Sequence, residues 1–252
     1  MNILPIPAFH DNYIWLIETD AGAVIVVDPG DSKVVKQHLA NAGHTLSAIL
    51  ITHHHPDHTG GVDDLAATYN ARVIGPVNCP YPHIKEAVNE GDTVTINDLS
   101  FSVLSIPGHT LDHIAFYCAE EAVLFCGDTV FSGGCGRVFE GTHEQMRDSI
   151  DKLRKLPGHT NFYPAHEYTE SNLRFALLVE PKNKDLVARI SEVKALRARG
   201  EPTLPCRLDN ELLTNPFLRW DAPEVISSAF ARSTDTSEEA VFGIIREWKN
   251  HA

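Results

Sequence analysis

Over the first two-thirds of the chain, short β-branched and aromatic runs alternate with stretches whose apolar residues recur every three or four positions. The first kind predicts strands at 13–18, 23–27, 46–51, 72–74, 93–96, 101–106, 114–117, 122–126 and 161–164, because such side chains suit a half-buried pleated surface. Helical spacing recurs in Val34, Val35 and Leu39 within 32–41, with Gly43 placed as a stop, and again across 62–69 and 143–156. Thr142 is predicted to cap the last of these helices and Gly158 to end it. Beyond about residue 168 the β-branched runs cease, and helices are predicted at 172–179, 186–199, 223–231 and 238–249. The segment 201–219 between them is broken by prolines and reads as irregular. The order predicts an α+β fold, an αβ/βα sandwich of two mainly antiparallel layers with helices outside, followed by a helical tail. Residues 1–170 form the first region of this division and 171–252 the second.

Four of the predicted strands run directly into polar residues that bind metals. The run 46–51 leads to Thr52-His53-His54-His55-Pro56-Asp57-His58, and 101–106 leads to Pro107-Gly108-His109-Thr110. The run 122–126 leads to Gly127-Asp128-Thr129, and 161–164 to Ala165-His166-Glu167-Tyr168. A strand end holds a side chain more rigidly than a loop alone can. Imidazole and carboxylate without nearby cysteine suit zinc, iron or manganese. Together His53, His55, Asp57, His58, His109, Asp128 and His166 exceed what one tetrahedral ion needs and match two ions sharing a carboxylate.

Neighbouring residues read differently. His54 alternates away from His53 and His55, so packing or support is expected of it, and His113 is at most a supporting residue. Pro-Gly-His-Thr occurs at 107–110 and again at 157–160, but only His109 follows a strand. His159 precedes one, and position therefore argues against ligation. Asp28 could hold the second nitrogen of a ligand imidazole or simply cap a turn. Cys126 and Cys135 lack an adjacent base or a ligand-type spacing, which favours packing over nucleophilic attack.

The His-x-His-x-Asp-His motif with the later His, Asp and His resembles the metallo-β-lactamase superfamily. Finer motifs resemble the glyoxalase II (hydroxyacylglutathione hydrolase) family within it. They are Asp11-Asn12-Tyr13, Asp28-Pro29-Gly30, the segment 131–137, Phe139-Glu140-Gly141-Thr142, His166-Glu167-Tyr168-Thr169 and Asn215-Pro216-Phe217-Leu218-Arg219, with a basic C-terminal helix. The resemblance spans essentially the whole chain. It implies the four-layer metallo-β-lactamase-like sandwich with a catalytic domain at 1–170, and a helical substrate-binding region at 171–252 packed over the mouth of the metal site. It implies that His53, His55 and His109 hold one divalent ion and Asp57, His58 and His166 a second, with Asp128 bridging. Zinc is the first expectation, iron and manganese the alternatives. Asp57 and Asp128 carry the catalytic assignment. The implied activity is hydrolysis of S-(2-hydroxyacyl)glutathione, chiefly S-D-lactoylglutathione, by a hydroxide held between the metals, in methylglyoxal detoxification. Arg137, Phe139, His166, Tyr168, Arg246 and Lys249 would line the substrate site. Phe139 stands where family members often carry tyrosine, so an apolar contact replaces a hydroxyl. The alternative within the superfamily is a glutathione persulfide dioxygenase with a single iron.

Composition narrows the setting. The formal charge of −13 argues against nucleic acid as a partner. No apolar run approaches 18 residues and the N-terminus lacks a signal-peptide pattern, so no membrane role and a soluble, cytoplasmic chain are expected. Five cysteines, an odd number without paired spacing, suit a reducing compartment. A monomer acting on a small-molecule thioester is the expectation.

Overall fold

The apolar runs form strands, and their order divides between two compact units in the computed structural model, which describes residues 1–19, 22–237 and 240–252. One unit is Met1–Ser105 with Asp112–Gly127, and the other is Ile106–Leu111 with Asp128–Ala252.

In the first unit, one sheet runs in spatial order β1 (Asn2–Ala8), β2 (Asn12–Glu18), β3 (Ala23–Val27), β4 (Thr45–Leu50), β5 (Arg72–Pro76) and β6 (Glu86–Val88). The other sheet of this unit places β7 (Thr93–Ile96), β8 (Leu99–Ser105), β9 (Ile114–Cys118) and β10 (Val123–Gly127) side by side in sequence order. The strands β7 to β10 are antiparallel, as expected. The first sheet departs from expectation, because β3 to β6 pair in parallel. Helix α1 (Ser32–Ala42) joins β3 to β4, and α2 (Pro56–Thr59) with α3 (Val62–Tyr69) joins β4 to β5. Such crossovers return the chain in the same direction. Strand β1, which holds Pro5 and Pro7, is not among the predicted strands. It is an edge strand, where a residue lacking N–H leaves no partner unsatisfied.

Helix α1 begins where Asp31 accepts a hydrogen bond from Lys33 N and stops at Gly43, whose φ of 69° is open to glycine at no steric cost. Its Val35 and Leu39 join Val62 and Leu65 of α3 in burying Ile14, Leu16, Val24, Val26 and Ile49 of the sheet. Each side chain so buried contributes about 1.5–3 kcal/mol, which anchors the strand ends that carry the candidate ligands.

The second unit contains the hairpin of β11 (Val130–Phe131) and β12 (Gly134–Cys135), then α4 (His143–Arg154), β13 (Asn161–Pro164), α5 (Thr169–Val179) and α6 (Lys184–Ala198). Thr142 and Gln145 form a reciprocal capping box at the start of α4. That helix ends at Arg154, with Lys155 as its cap, and not at Gly158. The carbonyl of Gly158 instead accepts from Asp209 N at 2.8 Å. The segment expected to be irregular holds β14 (Cys206–Arg207), α7 (Leu208–Thr214) and a 3-10 turn, Pro216–Leu218. Strand β14 pairs with β13, and that tertiary partner supplies what local propensity lacks. Helices α8 (Pro223–Phe230) and α9 (Val241–Asn250) follow; positions 238 and 239 of the helix predicted at 238–249 lie outside the described residues. Sparse aliphatic residues in the tail are offset by rings. Phe175 packs on Phe217 and Trp248, with ring centroids 6.1 and 5.2 Å apart, and Phe217 packs on Phe242 at 5.7 Å.

Candidate metal centre

In the first unit, β4 delivers the chain into 52–58, with His53 and His58 fully buried and His55 and Asp57 half-buried. His53 Nε2 lies 3.1 Å from His55 Nδ1, and His58 Nε2 lies 3.4 Å from Asp57 Oδ2. Ligand atoms about 2.0–2.2 Å from one ion stand roughly 3.3–3.6 Å apart in a tetrahedral site; the 3.4 Å spacing falls in that range and the 3.1 Å spacing just short of it, so each pair is close enough to share a cation. The other ring nitrogens are occupied. His53 Nδ1 is 3.0 Å from Thr52 Oγ1, and His58 Nδ1 is 3.0 Å from Asp28 Oδ2. Of the two roles open to Asp28, the structure shows the orienting one. Its carboxylate also accepts from Thr52 N at 2.8 Å and Thr52 Oγ1 at 2.7 Å, and its φ of 53° turns it there. Asn12 Nδ2 donates to Asp57 Oδ2 at 3.0 Å. Gly30 passes so close to Asp57 that a Cβ would come 1.9 Å from its carbonyl oxygen. The glycine of Asp28-Pro29-Gly30 is therefore a clearance for the ligand loop.

His54 does turn away, its Nδ1 2.9 Å from Asp112 Oδ1. Burial and the neighbouring Asp112 push the Cys79 thiol up to about 12, leaving it inert as a nucleophile near neutral pH. His113 stacks on His53, centroids 4.5 Å apart and 14° from coplanar, which makes it a support for that ring.

In the second unit, His109, Asp128 and His166 meet. The Nε2 atoms of both histidines lie 3.4 Å from the same oxygen, Asp128 Oδ2, and all three residues are buried. His109 Nδ1 donates to Arg137 O at 2.8 Å, which assigns the tautomer that leaves Nε2 as a lone-pair donor. Tyr168 lies flat on His166 at 4.8 Å and 5°, and Phe131 meets both rings edge-on. Phe139 is 62 % exposed, with its ring 5.2 Å from that of His109. Arg137 is exposed. His159 is exposed in the turn before β13 and takes no part in this group.

Arg246 and Lys249 share a face of α9, but Arg246 has a task the sequence did not suggest. It is 2 % exposed, and its Nη1 donates to Cys135 O at 2.8 Å. Its guanidinium is committed to the glycine-rich segment. Cys135 lies against it in a support role, with its thiol pushed up by burial. Lys249 Nζ contacts Asn172 Oδ1, and burial, followed by the cations Arg246 and Arg137, lowers the Lys249 ammonium to about 7. Sequence reasoning passed over Asn12, Asn172, Glu211 and Asn215. Asn12 and Asn215 lie in quoted motifs but were given no role, and Asn172 and Glu211 carry no local signal at all.

Two family models together match residues 8–252: the metallo-beta-lactamase superfamily over residues 8–166, and the hydroxyacylglutathione hydrolase C-terminus over 167–252. A hydroxyacylglutathione hydrolase of Idiomarina loihiensis is 50% identical over 100% of both chains. One of Hahella chejuensis is 51% identical over 98% of both. Among solved structures, TTHA1623 in a di-iron-bound form superposes with a TM-score of 0.56 at 28% identity, covering 65% of this chain and 91% of that one.

Proposed function

Because the chain belongs to the hydroxyacylglutathione hydrolase family of the metallo-β-lactamase superfamily, we propose a binuclear centre and a substrate site for its thioester hydrolysis. In this reading His53, His55 and His109 hold one ion, Asp57, His58 and His166 hold the other, and Asp128 bridges. The observation that carries it is the pair of Nε2 atoms at 3.4 Å from one Asp128 oxygen, a carboxylate placed for two ligand sets. The di-iron form of TTHA1623 supports two ions of the type that imidazole and carboxylate suit. Zinc is our first choice for this chain, with iron or manganese as alternatives.

Divalent ions bound there supply a nucleophilic water at neutral pH and positive charge against the thioester oxygen. The protein's own part is to orient His53, His58 and His109 and fix the tautomer of each. Asp28, Thr52 and the Arg137 carbonyl occupy the outer imidazole nitrogens, while Asn12 steadies Asp57. The departing thiol resembles free cysteine, with a pKa of about 8.5, and leaves without a dedicated acid. Arg137, Phe139, His166, Tyr168, Arg246 and Lys249 form the proposed glutathione site, in which Arg246 acts largely by holding the segment that carries Arg137. We place the helical region 171–252 as the substrate-binding part and 1–170 as the catalytic domain. No helix among the described residues is long and apolar enough to cross a membrane. A cytoplasmic monomer that binds no nucleic acid fits the five free cysteines and the charge of −13. The family match over 167–252 favours the hydrolase over the dioxygenase reading.

Purified protein assayed with S-D-lactoylglutathione, with metals counted per chain, tests the proposal. Turnover with two metals is expected. Turnover with one, or none without added oxidant, overturns it.

A further inference from the structure

The hairpin of β11 and β12 is held by two residue pairs, Val130 with Cys135 and Phe131 with Gly134, too few for a stable ribbon. Several of its other polar groups go to the helical tail. Ser132 Oγ donates to Glu211 Oε1 at 2.9 Å, and Gly133 N donates to Glu211 Oε2 at 2.8 Å. Asn215 Nδ2 donates to Glu211 Oε2 at 3.0 Å, to Phe131 O at 3.1 Å and to Gly134 O at 2.9 Å. Asn172 Nδ2 donates to Ser132 O at 3.0 Å. Glu211, Asn215 and Asn172 are at most 2 % exposed, so water cannot replace a lost partner.

What leaves this hairpin reaches the ligands. Gly136 runs against Asp128, where a Cβ would stand 1.9 Å from the Asp128 carbonyl oxygen. The next carbonyl, that of Arg137, takes the Nδ1 proton of His109. We infer that Glu211 is a positioning residue: by fixing the hairpin it holds the Arg137 carbonyl on His109 and the backbone beneath Asp128. The inference rests on the metal-centre reading above. Its basis is hydrogen-bond geometry and not charge. A glutamine at 211 accepts from Gly133 N and Asn215 through its amide oxygen, and donates to Ser132 Oγ, whose hydroxyl turns from donor to acceptor. A leucine fills the volume and strands the Gly133 N–H.

The test compares Glu211→Gln, Glu211→Leu, Ser132→Ala and Leu208→Ala. The last removes packing from the same helix at a fully buried position and leaves the hairpin's partners in place. Amide exchange over 131–137 is measured on metal-free protein, and metal retention against a chelator on loaded protein. Glu211→Leu should speed exchange and weaken retention by roughly ten- to a hundred-fold each, with Ser132→Ala following in the same direction by less. Glu211→Gln should stay close to wild type in both, and Leu208→Ala should lower Tm without either change. Should Glu211→Leu fail to fold, Ser132→Ala and Glu211→Gln decide. Unchanged exchange in Ser132→Ala, a glutamine variant as impaired as leucine, or the same defects in Leu208→Ala overturns the inference. Wild-type protein that binds no metal would instead sink the metal-centre reading, and the exchange measurements on metal-free protein separate the two failures.

Discussion

The two groups of candidate ligand residues are built by different means. Around His53, His55, Asp57 and His58, the supporting residues Asp28 and Thr52 lie at the ends of neighbouring strands β3 and β4, already aligned by the sheet. Around His109, Asp128 and His166, the supports are a carbonyl at 137 and, behind it, side chains from 172 to 246. A glycine lies beneath the carboxylate residue in each, Gly30 under Asp57 and Gly136 under Asp128. The first group needs only a sheet to be in register. The second needs a tail to have folded, so its stability is tied to residues that touch no ligand.

The largest effect that bears on this contrast is expected at Asp128. Asp128→Ala should leave fewer than two metals per chain and lower turnover by more than the roughly 10–100-fold that outer hydrogen-bond partners are worth. Full metal content with normal turnover would end the bridging assignment.

Next comes the repeated tetrapeptide. His109→Ala should lose metal and activity, whereas His159→Ala, in an exposed turn, should keep both. Reversal of the two results would mean that strand-end position does not select the ligands.

Asp28→Ala sharpens the comparison from the sheet side. Freeing Nδ1 of His58 and both groups of Thr52 should weaken metal retention by about 10–100-fold while amide exchange at 131–137 stays unchanged. Faster exchange at 131–137 would show that the two groups are not supported independently.

The smallest effect concerns Lys249, whose ammonium is lowered to about 7. It is cationic below that value and neutral above, so KM for the glutathione thioester should rise by a few-fold to about tenfold between pH 6 and 9. Lys249→Met should raise KM at pH 6 and flatten the profile. A profile of KM unchanged by that substitution would remove Lys249 from the substrate site.

Much of this was legible without coordinates, and the reason is local. The candidate ligand motifs follow strands, the Thr142 cap and the Gly43 stop read from neighbouring residues, and α3 spans 62–69 as its periodicity requires. What stayed hidden depended on partners distant in sequence. Pro5 and Pro7 look like breakers until β1 is known to be an edge, and 208–214 carries too little apolar pattern to read as a helix. The parallel direction of β3 to β6 depends on how α1 and α3 return the chain.

By itself the sequence determined which side chains are candidates for metal binding and which strands lead to them, since residue chemistry and period-two patterning are properties of short segments. Only tertiary structure decided how those side chains are held. Whether Asp28 orients His58 or caps a turn, and whether Arg246 faces a ligand or the Cys135 carbonyl, depends on groups brought within 3.0 Å of each other from 30 and 111 positions away. A hydrogen bond is set by the last ångström of approach, and no pattern along the chain encodes that distance.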